Sequence, residues 1–134
     1  MGIDYGTRRI GVAISDPGCT MALPFQIIDV KADGSHIKNI LKTIKDYNIT
    51  KIVVGLPYNM DGSIGDSGKK VIEWTEQLKE ILNIPIILWD ERLTTFEAHD
   101  ILKGNNVKGI KRKNIVDKIA ASLILKDYLN TIGT

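Results

Sequence analysis

The sequence predicts an α/β domain: a five-stranded mixed sheet of order 3-2-1-4-5 with helices on both faces. Three observations carry this. The first thirty residues alternate and turn like an antiparallel meander, two later apolar runs each follow a segment of helical period, and a long apolar-striped segment closes the chain. A chain of 134 residues is expected to form one domain, 1–134, because a chain near that length buries roughly 68 to 70% of its unfolded surface without disulfide or metal staples.

Each element has its own signal. Ile3 to Tyr5 is a short apolar run, and Arg9 to Ser15 alternates with Ile10, Val12 and Ile14 on one face. The turn Gly6-Thr7 joins the two as a hairpin. After the breaker cluster Asp16-Pro17-Gly18, Leu23 to Val30 makes a third strand. The period then changes, with Ile37, Ile40, Leu41 and Ile44 forming one stripe of a helix over His36 to Tyr47. Lys51 to Gly55 is a β-branched run suited to a parallel strand covered on both sides. A Gly- and Asp-rich loop, Leu56 to Gly68, leads to a second helix carrying Val71, Trp74, Thr75, Leu78, Ile81 and Leu82, and then to a fifth strand at Pro85 to Trp89. Thr94 and Glu97 form a capping-box pattern for a short helix ending near Gly104, and a last helix is expected from about Lys113 to Leu129. Right-handed crossovers put the fourth and fifth strands beside the first, away from the second and third. Ligands of such a sheet settle at the carboxyl ends of the strands, where the chain leaves in opposite directions.

Composition narrows the function classes. The longest apolar runs, Ile52 to Val54 and Ile84 to Trp89, fall far short of the roughly 20 residues of a membrane span. The opening residues show no basic and apolar leader, so a cytoplasmic protein without a membrane partner is expected. A single Cys19 excludes an intramolecular disulfide and a thiolate metal site. The net charge of +2 hides an uneven distribution: residues 103–118 hold Lys103, Lys108, Lys111, Arg112, Lys113 and Lys118 against Asp117, a segment of +5, and the rest of the chain carries −3. Such a cluster is either a solvated stretch or a surface for phosphates.

Three acids fall where that topology places a ligand. Asp4 ends the first strand, and a carboxylate in an apolar run is costly unless paired, metal-bound or solvated. Its structural alternative is a cap on the amides of the Gly6-Thr7 turn. Asp90 and Glu91 follow the fifth strand at the same edge, where they could otherwise cap a helix and pair with Arg92. Asp117 shares a helical stripe with Ala120, Ala121, Ile124 and Tyr128, which turns its carboxylate inward. Three converging carboxylates repel one another unless a cation lies between them, and hard oxygen donors select Mg²⁺ or Mn²⁺. Ions held in this way suit phosphodiester hydrolysis, and the basic residues around Asp117 lie beside the path of a polyanionic backbone.

Four segments then resemble one family. Gly2 to Pro17 (GIDYGTRRIGVAISDP), Val54 to Ser63 (VGLPYNMDGS), Asp90 to Thr95 (DERLTT) and Val116 to Leu125 (VDKIAASLIL) are similar, in order and along the whole chain, to the YqgF family. This is a bacterial branch of the RNase H-like, RuvC-like nucleases, whose members are described as Holliday-junction resolvases or as nucleases maturing the 5′ end of 16S ribosomal RNA. The resemblance implies an RNase H-like fold and a metal-dependent endonuclease. It implies a catalytic and metal-binding triad of Asp4, Glu91 and Asp117 holding Mg²⁺ or Mn²⁺, with Asp90 able to share the role of Glu91. The partner is precursor 16S rRNA or, alternatively, branched DNA, on which a homodimer is the expected state. Thr7, Asn59, Arg92, Lys108, Lys111, Arg112 and Lys113 are the expected nucleic-acid contacts, although a tight Asp-Gly turn also accounts for the Asn59 loop.

Two other classes compete. Asp4-Tyr5-Gly6-Thr7 also resembles the phosphate turn of actin-type ATP-binding domains, which need two such domains and so a longer chain. A non-catalytic nucleic-acid-binding protein would use the 103–118 segment alone. His36 is expected as a cap neighbour of the first helix, and His99 as structural or exposed rather than an acid-base group.

Overall fold

Alternation in the opening residues becomes three antiparallel strands, β1 Gly2–Tyr5, β2 Arg9–Ser15 and β3 Ala22–Asp29. They are seen in a computed structural model that describes residues 1–59, 61–90 and 109–132, with only the backbone described for 109–116. Helix α1 spans Ser35–Asp46, β4 Ile52–Leu56, α2 Asp66–Ile81, β5 Ile86–Asp90 and α3 Gly109–Ile132. The sheet order is β3-β2-β1-β4-β5, as expected, with β4 parallel to both β1 and β5. The short helix expected between Thr94 and Gly104 lies outside the described residues.

The two faces of the sheet bury different sets of side chains. On one, Ile3, Ile10, Val12, Ile52 and Val54 pack with Ile40 of α1 and with Val71, Trp74 and Leu78 of α2. On the other, Ala13 and Val53 pack under Ala121, Ile124, Leu125, Tyr128 and Leu129 of α3. The crossover helices thus share a face, and the closing helix covers the reverse.

On that reverse face β1 and β2 carry unusually small residues. Gly2 lies opposite Ala13 and Asp4 opposite Gly11. A Cβ on Gly2 would stand 2.7 Å from the Ala121 carbonyl oxygen and from the Leu125 Cβ, and one on Gly11 would run into the Asp117 carbonyl. These glycines form a trough in which the backbone of α3 lies directly on the sheet.

The last helix begins at Gly109 rather than near Lys113. The apolar stripe of Asp117, Ala121 and Ile124 extends back by two turns to Ile110, and the intervening Lys and Arg residues are good helix formers. Asp117 consequently lies more than two turns into the helix. A role as a helix-start acid on the macrodipole, which fades within the first turn, does not apply to it.

Smaller features follow from local chemistry. β3 is an edge strand, and its Pro24, which has no N–H to donate, lies at a bulge where the register with β2 slips between Val12 and Ala13. His36 accepts the backbone N–H of Lys31 at Nδ1, 3.2 Å away, consistent with a cap neighbour. Asp16 closes the β2–β3 turn, accepting the Thr20 hydroxyl at 2.6 Å and the Thr20 and Met21 amides at 2.7 and 2.8 Å. The Thr20 hydroxyl first, then the Met21 amide, holds its carboxyl below the ordinary aspartate value of 3.8.

That shift has a sign. A carboxylate depressed in the folded state contributes stability that is complete above the unfolded value and is lost as pH falls through the lower folded one. Asp16→Asn is therefore expected to be less stable than the parent near neutral pH, with the gap closing in strong acid. Urea unfolding at both pH values measures it.

Candidate active site

β1 places Asp4 at its carboxyl end, on the face covered by α3, because Ile3 and Tyr5 alternate to the other face. Tyr5 stacks on Trp74 of α2, ring centroids 4.5 Å apart, which pins the end of the strand from behind. Burial first, and then the Glu73 carboxylate, raises the Tyr5 phenol above its usual range.

The hairpin turn after Asp4 is tight. The Gly6 N–H donates to the Arg9 carbonyl at 2.9 Å, and a Cβ on Gly6 would lie 2.7 Å from that same oxygen. The Gly6 amide is therefore spent on the hairpin, which removes half of the turn cap that was the structural alternative for Asp4.

Asp117 meets this corner from α3. Its carboxylate accepts the Arg9 Nε–H at 3.2 Å, and the two side chains are 27% and 25% exposed respectively. Asp4, Tyr5, Gly6, Thr7, Arg8, Arg9 and Asp117 together line a cavity of about 300 Å³ at the carboxyl edge of β1. Two elements from opposite ends of the chain thus bring Asp4 and Asp117 to one hollow, and Thr7 lies on its wall.

The remaining expected site residues divide. Glu91, Arg92 and Lys108 lie outside the described residues. Lys111, Arg112 and Lys113 fall on the first turns of α3, with their side chains outside the description. Asp90 ends β5 opposite Leu56, two strands away from β1, and is exposed. Asn59 is exposed in a built turn: its backbone N–H donates to the Ser63 carbonyl at 2.8 Å, its Nδ2 donates to the Ser63 hydroxyl at 2.9 Å, and Asp61 Oδ1 accepts the Ser63 amide and hydroxyl. Ser63 hydroxyl and amide hold the Asp61 carboxyl below its ordinary value.

Arg9 is the residue that the sequence reading passed over. Its signal was present: with Ile10 and Val12 on one face of β2, Arg9 shares the other with Gly11 and Ala13, and an Arg on an otherwise small inward face calls for an acidic partner.

Two carboxylates facing one cavity supply the hard oxygen donors that suit a divalent cation. Among the described residues no three His, Cys, Asp or Glu side chains form a metal cluster, so the described donor set is a pair. A larger cavity, about 740 Å³, opens at the other end of the sheet beside Met1, Leu23, Val53, Leu125 and Leu129. Among the described residues its one carboxylate is Asp16, which is occupied by Thr20 and Met21, so no equivalent of the acidic pair is described there.

A mixed sheet of this order, covered by helices on both faces, has the RNase H-like architecture. The similarity to known structures agrees on the fold: Thermus thermophilus RuvC in complex with a Holliday junction superposes with a TM-score of 0.57 at 13% identity, covering 99% of this chain and 94% of that one. Fowlpox virus resolvase, also solved with Holliday junction DNA, gives 0.56 at 12% identity, covering 99% and 97%. Residues 1–131 match the model of the RuvX family, described as Holliday junction resolvases, and the chain belongs to that family.

Two relatives, from Caldanaerobacter subterraneus subsp. tengcongensis and Clostridium novyi, are each 46% identical over 132 residues; both alignments cover 98% of this chain, and 95% and 98% of the respective relatives. A Bacillus cereus relative is 40% identical over 132 residues, covering 97% of this chain and 96% of its own. All three carry the name "Putative pre-16S rRNA nuclease". The protein is a nuclease of the hydrolase class acting on nucleic acid, and its fold implies divalent-metal dependence in general. No described helix is long and apolar enough to cross a membrane.

Proposed function

We propose that the Asp4–Asp117 cavity, completed by Glu91, is the active site of an endonuclease that processes the 5′ end of precursor 16S ribosomal RNA in the cytoplasm. The observation that carries this is the meeting of Asp4 and Asp117 in one hollow at the carboxyl edge of β1. The RNA substrate is favoured over branched DNA by the names of relatives that share 40 to 46% of their residues with this chain.

Asp4, Asp117 and Glu91 would hold Mg²⁺ or Mn²⁺ there. Bound in this way, such ions activate water and stabilise the leaving oxygen of a phosphodiester. The chain itself supplies positioning. The Tyr5–Trp74 stack and the glycine trough fix the two carboxylates in space, and Thr7 and Arg8 are exposed residues of the cavity lining. Arg92, Lys108, Lys111, Arg112 and Lys113, together with Asn59 on the loop after β4, are assigned to the polyanionic backbone, whose binding weakens steeply with salt.

A second reading, resolution of DNA junctions, is favoured by the description of the RuvX family, and a two-fold junction would suit a homodimer. Parallel cleavage of a 5′-extended 16S precursor fragment and a four-way DNA junction, by the parent and by Asp117→Asn, tests both. Metal-dependent cleavage of the RNA alone, lost in the variant, is expected. Cleavage of the junction alone by a species of dimeric mass would replace the RNA reading, and cleavage of neither substrate would overturn the nuclease assignment of this site.

A further inference from the structure

Among the described residues, the wall of the acidic cavity carries two acids and two bases. Asp4 and Asp117 face it with Arg8 and Arg9, and the Arg9 guanidinium is bound to the Asp117 carboxylate through Nε. On the β-hairpin, Arg9 lies diagonally across from Asp4: Asp4 pairs with Gly11, and Arg9 stands two residues before it on the same face. One guanidinium therefore holds one of the two carboxylates proposed above as metal ligands and starts from the same strand face as the other.

We propose that Arg9 is a positioning residue that acts as the resident counter-cation of this pair: it holds the Asp117 carboxylate while metal is absent and gives up that contact when a divalent cation loads. The inference rests on the metal-site reading above. Arg9 enters from the start of β2, whose backbone is fixed by the β1 and β3 ladders, whereas its side chain is long and a quarter exposed, so it can withdraw toward solvent without moving the sheet. Asp117 has no comparable freedom, because its backbone is seated on Gly11. A carboxylate can accept on both oxygens, but a dication on one of them would lie beside the guanidinium in the same half-buried cavity, and like charges at that range repel strongly. The cation and Arg9 therefore compete for Asp117. The consequence is that Arg9 sets the metal concentration at which the site fills, and keeps the acids from repelling one another below it.

The test is Mn²⁺ binding without nucleic acid, read by water-proton relaxation on the full chain. Arg9→Gln removes the charge and Arg9→Lys keeps it as a point charge without the planar fork. Arg9→Gln is expected to tighten Mn²⁺ binding by about two- to fivefold, the range of a partly exposed ion pair. Arg9→Lys should fall between it and the parent, and the difference should shrink at high salt as the pair is screened. Thermal unfolding with and without Mn²⁺ checks that each variant folds and supplies a second readout, since metal should raise the midpoint of Arg9→Gln at lower concentration than that of the parent. Unchanged or weaker Mn²⁺ binding by folded Arg9→Gln would overturn the competition. Mn²⁺ binding by the parent that survives Asp4→Asn and Asp117→Asn would instead overturn the metal-site reading beneath it, and the inference with it.

Discussion

Asp4→Asn is expected to lower metal-dependent cleavage by about a thousandfold or more, equivalent to ~4 kcal/mol of transition-state stabilisation, while leaving the fold intact. The substitution keeps the shape of the side chain and removes only its charge. Asp4 stands at the end of β1, where pairing with its ladder partner Gly11 depends on backbone rather than on its carboxylate. The thermal midpoint should stay near the parental value, because the amide keeps the shape of the side chain at the cavity wall. Rate and stability thus move independently, as they would not if Asp4 were merely a turn cap. Single-turnover cleavage together with thermal unfolding measures both, and a folded variant that cleaves at the parental rate would remove Asp4 from the active site.

Gly11→Ala is expected to damage stability and activity together. The added Cβ would collide with the Asp117 carbonyl and lie 2.6 Å from its carbon, and both are backbone atoms that no rotamer change can move aside. Helix α3 must therefore shift as a body, loosening Ala121 and Ile124 from the sheet. Overpacking of this kind costs about 3 kcal/mol, or roughly 10 °C in midpoint for a domain of this size. The same displacement carries Asp117 away from Asp4, and a misplacement near one ångström can cost about a hundredfold in rate. Gly18→Ala is the control: its Cβ would meet only ordinary contacts, 3.5 Å from Asp16 Oδ2 and 3.8 Å from Thr20 Cγ2, so both quantities should stay near parental. A Gly11→Ala protein as stable and active as the control would show that α3 is not seated as described.

Much of the fold was legible because its signals are local. The alternation of Ile10 and Val12, the helical stripe through Ile37, Ile40 and Ile44 and the β-branched run Ile52 to Val54 each report the burial of one element, and the structure places them within a residue or two of expectation. The order of the strands followed from chain handedness alone. The start of α3 was less legible. Its first turns are rich in Lys and Arg, which read equally as a solvated loop, and only the run of the stripe back to Ile110 distinguishes the two.

For the site, residue type and position within an element were enough to single out Asp4 and Asp117: an acid ending a buried strand, and an acid on a stripe of small and apolar residues. What pairs with them was not written locally. Arg9 and Asp117 are 108 residues apart, and their 3.2 Å contact exists because Gly2 and Gly11 let one helix lie directly on two strands. The sequence by itself determined which elements form, their order in the sheet and the edge at which the acids gather, since burial pattern and crossover handedness are properties of short segments. The tertiary structure alone decided that a guanidinium pairs with one of those acids, because a separation of a few ångströms between distant segments depends on how closely their backbones can approach.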